Sequence, residues 1–378
     1  MHLGRFHAVM ADLSSHFADA DLGGRLQKAA DLLDAYAANR DADSLKEFRK
    51  AIENLKGSAD VEDEDLFQPY AQQVIESLNL RDLFNPVFNE AIDKLIATSS
   101  FDQANLASEL RSLKEELSEK IDDIDRISSS FDNLGVEVER VAKDEAELGL
   151  LLPREIVGEK LGNLSQEFGD LNKLARAINE IVGGDEYDPR VVTISSSWWQ
   201  IFLDLSPEQI LVWVLAIERI VALFKSNLEI KVLNQQLKDK QLPEKLTKQI
   251  EDEVEKRVKV QLDQLAKEIR KSNSKGKEPS RLNELETQLR HGLYYLAKRL
   301  SQGAQVEINI GIPSSPSAVQ TAEGEEADKK KIAEYEQKLA YRAKLLELRK
   351  RARAISVETS NIEGAETLMI DVDKKPEA

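Results

Sequence analysis

Apolar side chains recur at steps of three and four residues along most of the chain, which is the spacing of one face of an α-helix. Over residues 1–100 these stripes are short and are separated by turn residues, which predicts an acidic helical domain. Only a few short segments carry the β-branched or alternating pattern of a strand. The chain is therefore predicted to be mainly α with a small β-sheet, in the α+β class.

The longest apolar stripe runs from Leu106 to Val141 and predicts a long coiled-coil helix over residues 101–145. Ten steps cover 35 residues, and the mean of 3.5 is the coiled-coil repeat rather than the 3.6 of a straight helix. Such a helix is not stable alone in water, so it needs a partner helix in the same chain or in a second copy. The interface candidates on this long stripe are Leu110, Leu117, Ile124 and Phe131.

Residues 146–312 are predicted to form a compact α+β unit. β-branched or apolar runs between turn residues predict three strands, at Leu148–Leu152, Val191–Ile194 and Val306–Ile310. The last of these alternates with polar residues, as an edge strand does. The segment Trp198–Leu205 fits either a further strand or a short helix capped by Ser197, because periodicity does not separate the two in a short apolar run.

The sequence Ser206-Pro207-Glu208-Gln209 is a capping box, in which serine and glutamine each satisfy a free backbone amide at a helix start. The helix that follows is apolar on every face in its first turns and one-sided later, which predicts that it begins inside a core. Glu218 and Arg219 lie about 100° apart on this helix, so each needs its own partner if it is buried. Both are core or interface candidates, as are the three tryptophans Trp198, Trp199 and Trp213.

The remaining boundaries follow from composition. Two matched apolar stripes around a polar loop predict a helical hairpin over 244–302 that projects from the α+β unit. Residues 313–328 are rich in Ser, Pro, Ala and Glu and are predicted to be a linker. A charged helix with a solvated basic end is predicted at 329–354, followed by a loosely ordered tail at 355–378.

The distribution of charge along the chain affects which partners are expected. The net charge is −17, and residues 1–190 hold 21 Lys/Arg against 40 Asp/Glu. This acidity argues against nucleic acid as a partner, although a mimic of nucleic acid would share it. The chain contains no cysteine, which excludes disulfides and thiolate metal sites and fits a reducing cytoplasm.

No catalytic, cofactor-binding or metal-binding residues are predicted. The first three of the four histidines, His2, His7 and His16, are spaced too irregularly to share a metal on one helix face. No glycine-rich phosphate loop is present, and the acidic runs Asp60–Asp65 and Asp122–Asp125 lack the pattern of a calcium loop. No small-molecule substrate is evident from these motifs.

Three functional hypotheses follow. The first is a non-enzymatic intracellular coiled-coil interaction protein, a cytoplasmic scaffold or regulatory subunit that self-associates or binds a protein partner. The second is a membrane-active effector that releases residues 198–224 onto a bilayer. Its apolar helix is shorter than the ~20 residues of a bilayer crossing, which favours a buried core helix. The third is an enzyme whose site is assembled from distant residues.

Overall fold

The computed structural model describes residues 2–40, 42–60, 66, 68–99, 102–143, 145–158, 160–183, 190–195, 199–239, 244–273, 278–311 and 325–360. The chain forms two compact units, Met1–Arg140 and Val141–Ala378. The described part of the first unit is helical, and the second contains one four-stranded antiparallel sheet. The predicted fold class, mainly α with a small β-sheet, is confirmed.

The N-terminal unit is built around one long helix, α6, which packs against two earlier helices of the same chain. The side chain of Lys114 on α6 donates to Gln27 at 2.9 Å, and Arg111 pairs with Asp31 at 3.1 Å. The apolar side of α6 is thus covered within one chain along most of its length. The helices of this unit are α1 (Leu3–Ala20), α2 (Leu22–Asn39), α3 (Ala42–Ser58), α4 (Pro69–Ser77), a 3-10 helix (Arg81–Leu83), α5 (Val87–Thr98) and α6 (Gln103–Asn133).

Helix α6 ends at Asn133, so the prediction of a helix continuing to the end of the long stripe is wrong. Gly135 adopts a left-handed conformation with φ +70°, which glycine reaches without the steric cost of a Cβ atom. The amides of Gly135 and Val136 then donate to Asp132 and Phe131, both at 3.0 Å. These two bonds form a Schellman motif, which satisfies the last carbonyls of the helix and stops it.

The C-terminal unit contains the sheet, with strand order β2-β3-β1-β4. The register pairs Leu148 with Leu203 and with Ile308, so apolar side chains of three strands share one buried face. The three predicted strands are confirmed, β4 lies at an edge as predicted, and Trp199–Leu205 is a strand rather than a helix. The strands are β1 (Ala146–Leu152), β2 (Arg190–Ser195), β3 (Trp199–Leu205) and β4 (Gln305–Ile310).

Helices cover the sheet and share its core. The predicted capping box is confirmed. The backbone amide of Gln209 donates to Ser206 Oγ at 3.3 Å, and the backbone amide of Ser206 donates to Gln209 Oε1 at 2.7 Å. The predicted hairpin is formed by α10 and α11, which pack against α9 and α8, so the rest of the unit covers its apolar stripes. The helices are α7 (Arg154–Val157), α8 (Leu161–Ile181), α9 (Pro207–Asp239), α10 (Glu244–Asn273), α11 (Pro279–Ser301) and α12 (Glu325–Ser360).

Helix α12 is longer than the predicted charged helix 329–354. It begins inside the predicted linker, and it ends at Ser360, inside the predicted loosely ordered tail. Its last turns pack on β4 rather than in solvent, because Ala352 and Ile355 are buried in the common core. The rest of the predicted linker and tail, residues 313–324 and 361–378, lies outside the described residues.

Two hydroxyl groups of α12 satisfy the outer edge of β4. Thr359 Oγ1 accepts from the Val306 amide at 3.1 Å, and Ser356 Oγ accepts from the Ile308 amide at 3.0 Å. Both hydroxyl residues are buried, so these amides would otherwise be shielded from water without a ladder partner. The helix therefore closes an edge that could pair with another chain.

We expect the double variant Ser356→Ala/Thr359→Val to lower the free energy of unfolding of this unit by about 2–6 kcal/mol, because each of the two unsatisfied buried amides costs roughly 1–3 kcal/mol. Denaturant unfolding followed by circular dichroism measures the loss. Ser272→Ala is the control, since Ser272 is exposed on α10. A loss in the double variant no larger than that of the control would show that the hydroxyl contacts do not stabilise the edge.

Candidate functional site

An apolar groove of about 480 Å³ opens on the N-terminal unit between α1, the corner after α4 and the C-terminal half of α6. We call it the α6 groove. Its polar lining residues, including Lys120, Asp123 and Arg126, come from α6. The apolar lining residues are Met10, Leu78, Leu80, Ile124, Ile127, Phe131 and Leu134.

The groove is the uncovered end of the long stripe on α6. Leu110, Leu117 and Ile124 are almost completely buried inside the unit. Phe131 is half-buried against Phe6, with ring centroids 5.7 Å apart. Leu134 is 77% exposed. Leu134 is the C-cap of α6, and the chain turns at Gly135, so the residues that contact α1 beyond this point are those after the turn, where the Glu139 amide donates to Gly4 O at 3.0 Å.

The opposite wall of the groove depends on the turn that follows α4. Asn79 has φ +55°, a left-handed conformation that asparagine tolerates better than most residues. The amide of Leu80 donates to Ile75 O at 2.9 Å, which closes the helix end in the same way as at α6. The turn places Leu80, which is buried, and Leu78, which is half-buried, along the groove.

The basic side chains on the rim already form ion pairs with carboxylates of the same unit. Lys120 forms an ion pair with Asp82, and Arg126 pairs with Asp123 at 2.6 Å. Glu119, one helical turn before Asp123, is exposed and forms no ion pair with any residue that the structure describes. With Asp82, Glu119 and Asp123, the rim therefore carries three carboxylates against two cations.

The four predicted interface residues of the long stripe have different positions. Leu110, Leu117 and Ile124 pack inside the unit, although Ile124 also reaches the groove, and Phe131 lines the groove beside it. The residues that α1 and the α4 corner contribute were not among the predicted site residues: Met10, Leu78 and Leu80. The chain separates these residues from α6, and no local pattern pairs them with it.

The other predicted site residues belong to the C-terminal unit. Trp213 is 1% exposed in the core, and Trp199 is partly buried against the same core. Trp198 lies outside the described residues. Trp213 is therefore a core residue of this unit.

Glu218 and Arg219 on α9 have different surroundings. Glu218 forms a bidentate pair with Arg351 of α12, with distances of 3.0 and 2.7 Å. The hydrogen bond to Glu218 raises the pKa of the Arg351 guanidinium above its ordinary value. Arg219 is exposed and forms no ion pair with the described residues. The pair joins α12 to α9, although the Arg351 side chain stays 40% exposed and Lys350 beside it is exposed, as expected for the basic end of the last helix.

A second cavity in the N-terminal unit, of about 530 Å³, is polar. Asp12 and Asp60 line it and already have partners, Arg140 and the Asn85 amide group respectively. Among the described residues, no group of three or more His, Cys, Asp or Glu side chains is arranged to hold a metal ion. The α6 groove is therefore the stronger candidate site.

Comparisons with known proteins give no family for this chain: no family model, curated protein or solved structure matches it. Within the described part of the chain, no helix has both the length and the apolar character that crossing a bilayer requires.

Proposed function

We propose that this chain is a non-enzymatic interaction protein, a scaffold or regulatory subunit, and that it binds a protein partner in the α6 groove. The observation that carries the proposal is the open end of the long stripe, where Phe131 is half-buried and Leu134 is 77% exposed. A soluble helix normally buries such a stripe, so the uncovered part marks a surface that another molecule can cover.

The groove offers apolar side chains that a partner could bury. Burying one leucine-sized side chain contributes about 1.5–3 kcal/mol, and a helix in a groove typically inserts three or four anchors. Ile127 and Leu134 are the accessible contact residues on α6, and Leu78 is the one at the α4 corner. The groove is therefore suited to a segment of a partner protein more than to a small polar molecule.

The groove also changes how self-association would occur. Leu110, Leu117 and Ile124 are buried within one unit, so they are not free to form a coiled coil with a second copy. On this stripe of α6, only the groove end is open to a second copy. The lack of cysteine fits a cytoplasmic protein.

Release of residues 198–224 onto a membrane would require Trp213 and Phe224 to leave the core, which favours the groove over that alternative.

Site-specific photo-crosslinking in the cells that make the protein tests the proposal. A photoreactive residue at Leu134 is expected to capture a discrete protein, whereas one at Val87 is not. Val87 is a matched control because it is also an exposed apolar residue of the same unit but does not line the groove. Adding Ile127→Asp should remove the crosslink at position 134, since the new carboxylate would lie in the groove.

Light scattering on the purified chain decides whether the captured protein is a second copy. A strictly monomeric chain with no crosslink from Leu134 would refute the proposed function. A crosslink that persists in the Ile127→Asp variant would show that the partner does not use the groove.

A further inference from the structure

We propose that the occupant of the α6 groove is a basic amphipathic helix of a partner protein, about four turns long. This inference rests on the proposed function and specifies the chemistry of the partner. Three properties of the groove support it: the length of the lining on α6, the spacing of the apolar residues and the distribution of charge on the rim.

The length follows from the helix that forms one side of the groove. The lining residues of α6 extend from Lys120 to Leu134. At 1.5 Å per residue this stretch is about 21 Å long, which corresponds to about 14 helical residues or four turns. An occupant of that length fills the groove from end to end.

The spacing of the apolar residues favours a helix as the occupant. Ile124, Ile127, Phe131 and Leu134 follow one another at steps of three and four, so they form a ridge on α6. Such a ridge packs against a helix that has anchors at positions i, i+3 or i+4, and i+7. The same stripe already packs against α1 and α2 inside the unit, and the occupant would continue that packing.

The charge distribution determines the polar face of the occupant. Glu116, Glu119 and Asp123 follow one another at steps of three and four on one face of α6, and all three are exposed. Asp123 lines the groove, and the two glutamates continue its face toward the start of the helix. Lys120 pairs with Asp82 and lies 4.0 Å from Glu116, and Arg126 pairs with Asp123, so the carboxylates here outnumber the two cations and Glu119 has no ion pair among the described residues. An incoming Lys or Arg side chain would therefore find an acceptor at Glu119 and a negative rim, whereas an incoming carboxylate would be repelled.

The field of the whole unit has the same sign. Residues 1–140 contain 15 Lys/Arg and 29 Asp/Glu, a net charge of −14. A field of this sign speeds the approach of a cationic segment and repels nucleic acid and anionic lipid. A basic helix of a protein is therefore favoured over either of those surfaces.

Two helix-stapled fluorescent peptides test the inference on the full chain. Both have about 14 residues and identical leucine anchors at i, i+4 and i+7, and they differ only in carrying Lys or Glu on the polar face. Fluorescence anisotropy measures the two dissociation constants. We expect the Lys peptide to bind at least about tenfold more tightly in ~50 mM salt, with the ratio falling in ~300 mM salt as the charges are screened.

Substitutions in the groove separate docking from non-specific attraction. Ile127→Asp makes the unit more acidic, so it would strengthen a purely electrostatic association, but we expect it to weaken Lys-peptide binding more than about tenfold. Leu134→Gln, at an exposed position, should also weaken binding without a change of charge. Val87→Asp adds the same charge outside the groove and should leave binding within about twofold.

The rim carboxylates provide the matched charge test. The double variant Glu116→Gln/Glu119→Gln should weaken Lys-peptide binding by about three- to tenfold and strengthen Glu-peptide binding. Both residues are exposed, so the fold should be retained, as circular dichroism can check.

Each outcome is decisive. If the Glu peptide binds as tightly as the Lys peptide and both bind in the groove, the basic partner is wrong while the proposed function stands. If Lys-peptide binding is unchanged by Ile127→Asp and Leu134→Gln, the attraction is non-specific and the inference fails. If neither peptide binds, a helical occupant is wrong, and the crosslink from Leu134 then decides whether the groove has any partner.

Discussion

Replacing Trp213 with alanine is expected to lower the free energy of unfolding of the C-terminal unit by about 3–5 kcal/mol, the usual effect of removing a buried aromatic side chain. Trp213 is 1% exposed and is among the largest completely buried side chains. It lies in the core that joins the sheet to α9 and the helical hairpin. The cavity left by the indole would therefore weaken contacts in several elements at once.

Trp213→Phe is the matched control. The indole nitrogen of Trp213 has no hydrogen-bond partner within the part of the chain that the structure describes. Phenylalanine therefore removes volume but no hydrogen bond, and we expect it to cost less than half as much as alanine. Guanidinium unfolding followed by far-ultraviolet circular dichroism measures both variants without relying on tryptophan fluorescence. A Trp213→Ala chain as stable as the parent would show that α9 is not the centre of this core.

Replacing Arg299 with methionine is expected to lower the free energy of unfolding by a similar amount, about 3–5 kcal/mol, because it leaves a buried carboxylate without its partner. Arg299 Nε donates to Glu167 Oε2 at 2.9 Å, and its Nη2 also donates to that carboxylate. The side chains of Glu167 and Arg299 are only 5% and 15% exposed, so water cannot replace the lost bonds. The pair joins α8 to α11.

The same two helices offer an exposed pair as a control. Arg281 donates to Glu180 at 2.7 and 2.6 Å, but the side chains are 42% and 30% exposed. Arg281→Met should cost at most about 1 kcal/mol, as exposed ion pairs do. The double variant Glu167→Leu/Arg299→Met should recover most of the loss at the buried pair. Equal losses for the two single variants would show that burial of the first pair does not matter.

Local patterns in the sequence predicted most of the secondary structure. The capping box at Ser206 depends on four adjacent residues, so it could be read without knowledge of the fold. The alternation at Val306–Ile310 identified an edge strand, because one face of that strand is apolar. The hairpin of α10 and α11 followed from two matched stripes around one loop.

The two wrong helix ends have different causes. The apolar spacing continues beyond Asn133 and predicted a longer α6, but the local turn at Gly135 stops the helix. The last helix was predicted to end too early, because Ser356 and Thr359 are polar residues whose burial depends on the distant strand β4. A hydroxyl group that caps a strand edge cannot be distinguished in sequence from one that faces water.

The candidate site was predicted only in part. Phe131 was identified from the stripe on α6, but Met10, Leu80 and the open groove between them were not. The partners of Glu218 and Arg219 also required the structure, which pairs the first with Arg351 and leaves the second exposed.

By itself, the sequence determined the helical class of this protein, the start of α9 and the acidity of its first part, because these depend on neighbouring residues and composition. Only the tertiary structure decided which part of the long stripe is covered. Packing of α1 and α2 along α6 buries the stripe up to Ile124, whereas Leu134, at the C-cap where the chain turns, stays open. The buried part depends on contacts between residues more than a hundred positions apart, such as Phe6 and Phe131, and no local pattern encodes them.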